Sequence, residues 1–357
     1  MVDLEQLGQQ AQQASYTLGL LSTAQKNQVL TAMATALTSH QDEILAANAQ
    51  DLENPQVPVK FVDRLRLTAD RIQDMAIGLK QVVSLPDPIG NVDRAWRNEA
   101  GLMIAKERVP LGVIGMIFEA RPNVTIDAGV LCLKTANATI LRGGKEAFHT
   151  NQIIVSIMRN TLETLGITPD AIQFVEVLDR EMVGVLLQQR KYIDVIIPRG
   201  GAGLIRRVVE ESSIPVIETG SGVCHTFVDE YANLDMALEI AINAKVQRPS
   251  VCNSMETLLV HQAVAAEFLP RLDVALQEYG VRIHGNNAVA QYMGNTIPLT
   301  DDSFNTEYND MDLNVRIVDT LEEAIDHVNL YSTHHSEAIV TDEPMRAKVF
   351  MNLVDCS

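Results

Sequence analysis

Four cysteines, Cys132, Cys224, Cys252 and Cys356, are the obvious nucleophiles of this chain, and their surroundings differ. Cys252 lies in "QRPSVCNSMETLLVH" (residues 247–261), a short polar turn between a helix-like and a strand-like segment. Pro249 stops the helix, and a thiol on such a turn is placed to meet a substrate, which favours a nucleophile role over packing. Its reactivity requires a lowered pKa, from a helix terminus, from Arg248 or from the surroundings of a cofactor. Cys132, in the apolar run "GVLCLKTA", reads as core packing. Cys224 stands beside His225 in "GSGVCHTFV", a pairing that suggests catalysis, but neighbouring strand residues point to opposite faces, which favours packing. No C-x-x-C pair occurs, so neither a zinc site nor a disulfide framework is expected, and a reducing, cytoplasmic compartment follows.

Glycine-rich turns form a second group. "ILRGGKEAFHTN" sets Gly143, Gly144 and Lys145 between a strand and a helix, and "VIIPRGGAGLIRRV" does the same with Gly200, Gly201 and Gly203. Glycine lets the backbone approach a phosphate closely, and a following helix N-terminus favours its charge. Neither turn matches G-x-G-x-x-G, and either alone reads equally as a tight turn without a ligand. Two of them in one parallel sheet favour a nucleotide. Arg142 and Lys145 add positive charge there, as phosphate contacts or as solvated surface charge. Glu218, in "ETGSG", ends a strand where a ligand crevice is expected. A general base, a cofactor contact and a strand-end charge are all open for it, the last by default. "GMIFEARPNVTIDAG" holds Glu119, Arg121 and Asn123 at another strand end. Arginine can clamp a carboxylate or phosphate and asparagine can donate to an oxyanion, while Asn123 and Thr125 equally suit a helix N-cap.

The elements that must position these groups follow from periodicity. Residues 1–85 read mostly as helix, with apolar positions at helical spacing through "TAQKNQVLTAMATALTSHQDEILAANAQDLEN". "SLPDPIG" is a breaker, and residues 92–109 read as two strands around residues 98–101, a hairpin. From Val109 short apolar strands alternate with helices: "LGVIGMIF", "NATILRG", "IQFVEVL", "IDVIIPRG" and "IPVIETG", then "HTFVDE", "METLLVHQ" and "VRIHG". Repeated β-α-β units imply parallel sheets covered on both faces, an α/β class. A length of 357 residues suggests two or three domains. A net charge of −18 opposes binding to nucleic acid or an anionic membrane. With 46% hydrophobic and 21% charged residues the composition is that of a soluble globular protein. The first residues lack a basic segment followed by an apolar core, so no secretory leader is expected, and no apolar run reaches membrane-span length.

Taken together, "VPLGVIGMIFEARPNVTIDAG", "ILRGGKEAFHTN", "IETGSGVCHTFVDE", "VCNSMETLLVH" and "VDTLEEAIDHVNLYSTHHSEAIVT" resemble the gamma-glutamyl phosphate reductase (glutamate-5-semialdehyde dehydrogenase) family, within the aldehyde dehydrogenase superfamily. "EARPNVT" and "HHSEAIVT" are far more specific than any glycine pattern. The resemblance implies a parallel-sheet NADP(H)-binding domain over residues 1–90 and 110–221, an oligomerisation hairpin at 91–109, and an α/β catalytic domain at 222–357. It picks Cys252 as the nucleophile, 34 positions beyond Glu218, with Asn123 toward the oxyanion, and Arg121 (an equal candidate for the anionic groups) and Asn253 toward the substrate. It places Arg142 and Lys145 at the ribose 2′-phosphate of NADPH, Gly200 and Gly201 at the pyrophosphate, and Glu218 and Glu307 in the cofactor site, with no metal. The implied reaction is NADPH-dependent reduction of glutamyl 5-phosphate to glutamate 5-semialdehyde through a cysteine thioester, in the second step of proline biosynthesis, by a homo-oligomer. The family continues for some tens of residues beyond "NLVDCS", so the catalytic domain is expected to be incomplete at its C-terminal end. Two alternatives stand beside this reading: a protein that binds cofactor with impaired catalysis, and a superfamily member that oxidises a free aldehyde.

Overall fold

The apolar runs fold as parallel strands because their residues can be buried on both faces of a sheet. The computed structural model describes residues 3–54, 62, 64–119, 121–179, 181–218 and 222–357. The chain divides into two units, Met1–Thr219 and Gly220–Ser357. Among the described residues no helix is long and apolar enough to cross a membrane.

The first unit begins with helices α1 (Leu4–Leu18), α2 (Thr23–Ser39), α3 (Gln41–Leu52) and α4 (Ala69–Ser84). Ser22 and Gln25 form a reciprocal capping box at the start of α2. Strands β1 (Val92–Arg97) and β2 (Met103–Glu107) then pair antiparallel as a separate ribbon. Its turn closes through Gly101 N–H to Asn98 O (3.0 Å) and Leu102 N–H to Asn98 Oδ1 (2.8 Å). All of β1 is exposed.

The sheet of this unit is parallel, in the order β5-β4-β3-β6. Its strands are β3 (Val113–Phe118), β4 (Ala138–Arg142), β5 (Ile172–Phe174) and β6 (Val195–Arg199). The intervening helices are α5 (Pro122–Lys134), α6 (Phe148–Thr164) and α7 (Glu181–Leu186), and α8 (Ala202–Glu211) follows β6. Two expected strands are shorter than their apolar runs: "IQFVEVL" pairs only over β5, and "IPVIETG" contributes a single bridge, Val216 to Ile196. The strand order reverses beside β3. Chains that wind both ways from a central strand leave a crevice beyond the carboxyl ends of the two diverging strands, here β3 and β6.

The second unit has a six-stranded parallel sheet, β10-β9-β11-β8-β7-β12. Strands β7 (Cys224–Val228) and β8 (Met255–His261) lie inside it and are buried throughout. Strands β9 (Arg282–Gly285), β10 (Ile297–Pro298), β11 (Asp312–Val318) and β12 (Glu337–Val340) complete it. Helices α9 (Leu234–Val246), α10 (Gln262–Glu278), α11 (Leu321–Tyr331) and α12 (Pro344–Leu353) make the connections and the C-terminal cover. Each unit has apolar core of its own, among the described residues.

Candidate active site

Cys252 is exposed, on the turn between α9 and β8. Two backbone bonds shape that turn, Val251 N–H to Arg248 O (3.3 Å) and Ser254 N–H to Val251 O (3.0 Å). The Ser254 hydroxyl ties its end back to Ala244 O in α9 at 3.3 Å. The Cys252 carbonyl accepts the Cys224 thiol at 3.3 Å and lies hard against Gly222, where a Cβ would collide with it. Gly222 N–H in turn donates to Glu307 Oε1 at 2.9 Å. Cys252, Gly222 and Glu307 therefore meet at the amino ends of β8, β7 and β11. That is the end of a parallel sheet opposite to the one where ligands are usually sought.

The other cysteines of the interior are chemically quiet. Burial pushes the Cys132 thiol up to about 12 and the Cys224 thiol likewise up to about 12. Strand alternation separates Cys224 from its neighbour as expected: His225 turns away to Glu337, which takes its backbone N–H at 2.7 Å and its Nδ1 at 3.1 Å. Sequence reasoning assigned no role to Glu337 or Thr333. Glu337 also accepts the Ser332 hydroxyl, and Thr333 Oγ1 accepts Val223 N–H at 3.0 Å, so "YSTHHSE" fixes the start of β7 beside the Cys252 turn. The one sequence signal for Glu337 was the specificity of the "HHSEAIVT" motif, which begins just after Thr333.

In the first unit the crevice between β3 and β6 brings two of the singled-out segments together. Glu119 follows β3 and Gly200–Gly201 follow β6; Glu119 N–H donates to Arg199 O (3.2 Å), and Glu119 Oε2 accepts Gly201 N–H (2.9 Å) at the start of α8. A carboxylate thus sits where a helix N-terminus favours negative charge. A Cβ on Gly200 would press on the Glu119 and Leu204 side chains, so glycine eases this close approach. Lys145 is exposed on the turn after β4. Arg142 is buried, and its guanidinium donates to the carbonyls of Gly143 (2.8 Å) and Leu178 (3.4 Å).

Helix α5 corrects one expectation. Neither Asn123 nor Thr125 caps it: the N-cap is Arg121 and Pro122 takes the first helical position, where a missing N–H costs nothing. Asn123, half-buried in the first turn, instead donates to Asp127 Oδ2 at 3.2 Å, and Thr125 donates to Asn151 Oδ1 at 2.8 Å. Glu218 and Asn253 are both exposed. The glycine turn after Glu218, residues 219–221, lies outside the described residues, as does Ala120 of "EARPNVT".

Comparison with known proteins gives the family and the fold. Residues 2–297 match the model of the aldehyde dehydrogenase family. The gamma-glutamyl phosphate reductase of Lactiplantibacillus plantarum is 65% identical over all of this chain and 87% of its own length. That of Enterococcus faecalis is 52% identical, again over all of this chain and 86% of its own. The crystal structure of the Thermotoga maritima gamma-glutamyl phosphate reductase superposes with a TM-score of 0.97 at 40% identity, over 99% of this chain and 86% of that one. Identity of this order over the whole chain, together with one shared fold, means that the chain belongs to the aldehyde dehydrogenase family and, within it, to the gamma-glutamyl phosphate reductases.

Proposed function

We propose that this chain reduces gamma-glutamyl phosphate to glutamate 5-semialdehyde and inorganic phosphate, in proline biosynthesis, through a thioester on Cys252. The observation that carries the reading is the exposure of Cys252 on a turn braced from below, while Cys132 and Cys224 are buried and pushed up to about 12.

The Cys252 thiolate attacks the acyl carbon, a C–S bond forms, the C–O bond to phosphate breaks, and phosphate leaves with the electron pair. A nicotinamide cofactor, when bound, would supply the hydride needed to take the thioester to the aldehyde level, and Cys252 would then leave as thiolate with the electrons of the broken C–S bond. Water has no part in this direction, since it would only hydrolyse the thioester, so Glu218 has no deacylating role. Asn123 and Arg121, at the carboxyl end of β3, are the groups we assign to the oxyanion and to the substrate's anionic groups, with Asn253 beside the nucleophile as a further substrate contact.

The first unit suits the cofactor's phosphates: Gly201 N–H already holds a carboxylate at the N-terminus of α8, in a cradle that a Cβ on Gly200 would fill. We assign the pyrophosphate to Gly200 and Gly201, the nicotinamide ribose to Glu307, and the adenosine 2′-phosphate of NADPH to the exposed Lys145. The inward-turned guanidinium of Arg142 supports that loop. We read the first unit as the cofactor domain, the second as the catalytic domain, and the β1–β2 ribbon as the arm through which a cytoplasmic homo-oligomer assembles.

The test is phosphate-dependent oxidation of glutamate 5-semialdehyde with NADP+. Cys252→Ser should abolish turnover and leave cofactor binding near normal, whereas Cys224→Ser should keep most of it. Turnover that survives in Cys252→Ser and disappears in Cys224→Ser would assign the chemistry to the other thiol. Oxidation at an equal rate without phosphate would point to a free-aldehyde dehydrogenase.

A further inference from the structure

Lys245, in the last turn of α9, and Glu256, in β8, are eleven positions apart, and the Cys252 turn is the chain between them. Both side chains are fully buried, and Lys245 Nζ lies 2.8 Å from Glu256 Oε2. The other carboxylate oxygen, Glu256 Oε1, accepts the backbone N–H of Asn309 at 3.2 Å. Asn309 has a left-handed backbone (φ 55°), which asparagine tolerates better than most residues. It lies two residues beyond Glu307, whose carboxylate holds Gly222 under the Cys252 carbonyl.

We propose that Lys245 and Glu256 are a positioning pair: packed side by side they close the base of the Cys252 turn, and the Glu256 acceptor carries that constraint to the Glu307 segment through the Asn309 N–H. Hydrophobic residues of similar volume often replace a buried ion pair with no loss of stability, so stability alone is a weak reason for its presence here. What an apolar pair cannot do is accept the Asn309 N–H. The arrangement gives the nucleophile turn and the Glu307 segment one common anchor. Its consequence for catalysis rests on Cys252 being the nucleophile; its structural content does not.

The experiment uses the full chain and three variants. K245M/E256M keeps the volume and removes the acceptor. K245M/E256Q removes both charges and keeps a carbonyl acceptor. E256D keeps the charge and draws the acceptor back by one carbon, and it serves if K245M/E256M does not fold. Backbone-amide hydrogen exchange is followed over residues 247–254 and 306–311, circular dichroism checks the fold, and kcat and KM are measured for phosphate-dependent semialdehyde oxidation.

The expected result is at least tenfold faster exchange over 306–311 in K245M/E256M and E256D, with protection retained in K245M/E256Q. A kcat loss of tenfold or more should follow the same division, against less than threefold for K245M/E256Q. Equal protection in all three, or equal loss in K245M/E256M and K245M/E256Q, would overturn the proposal. If the unaltered chain shows no turnover, or Cys252→Ser retains it, the proposed reaction falls, and the exchange pattern alone still decides the role of the pair.

Discussion

Gly222 and Cys252 are packed so closely that the carbonyl of the cysteine occupies the space of a side chain at the glycine. The obstacle is backbone, which cannot swing aside as the far end of a side chain can. Gly222→Ala should therefore displace the Cys252 turn, at a cost on the order of 3 kcal/mol for overpacking a site of this kind. Turnover should fall by at least a hundredfold while cofactor affinity changes little. A variant with unchanged melting temperature and turnover would show that the two backbones move apart freely.

Thiol labelling should follow burial. Iodoacetamide at neutral pH should modify Cys252 and Cys356, which are exposed, and leave Cys132 and Cys224, both pushed up to about 12, untouched until the protein unfolds. Peptide mapping after brief alkylation reads this directly. Early modification of Cys224 would mean that β7 opens in the native state.

Cofactor choice should turn on Lys145. Lys145→Glu places a carboxylate where we assign the 2′-phosphate and should weaken NADPH more than NADH. A charge-assisted contact is worth about 1.5–3 kcal/mol, so the ratio of the two affinities should change tenfold or more. Equal weakening of both cofactors would remove Lys145 from the 2′-phosphate.

The buried carboxyl of Glu256 predicts a pH dependence of stability. Burial raises it from 4.5 to about 7, against the pull of Lys245 and of the Asn309 N–H, and with Glu307 pushing in the same direction as burial. Tyr308 and Cys224 are the other titratable groups that face it. A carboxyl whose folded pKa is raised contributes stability that is fully present below its unfolded value and is lost as pH rises through the folded one. Relative to K245M/E256Q, the unaltered chain should therefore lose on the order of 2–3 kcal/mol between pH 4.5 and pH 8. Calorimetric melting over that range checks the sign; a flat difference would mean that Glu256 stays ionised throughout.

The parallel strands were legible because a strand buried on both faces is apolar at successive positions, as at Leu258, Leu259 and Val260 of β8, all buried. The Cys252 turn was legible for the opposite reason: Pro249, Asn253 and Ser254 interrupt that pattern. What escaped reading depends on contacts between distant segments. Gly222 looks like any loop glycine until the Cys252 carbonyl is set against it. Lys245 and Glu256 look like solvated charges, since nothing in their spacing says that both are buried. The carbonyls of Gly143 and Leu178 that the Arg142 guanidinium meets lie 1 and 36 positions away, and the second of these contacts leaves no trace in the local sequence. The start of α5 went to the wrong residues because Asn123 and Thr125 have good capping side chains, whereas Pro122, which sets the boundary, was not weighed.

The sole tryptophan of the chain, Trp96, stands on the β1–β2 ribbon, 37% exposed, with the Arg94 guanidinium 5.0 Å from its ring centroid. Intrinsic fluorescence is therefore a reporter of one address. Its emission follows the solvent and the cation around that ribbon, in the first unit. Denaturation followed at the tryptophan and by far-ultraviolet dichroism should give separate midpoints, since each unit has its own core and two-state behaviour is not the default for such a chain. Fluorescence quenching, on the same argument, becomes a selective assay for whatever covers the ribbon, including a second copy of the chain.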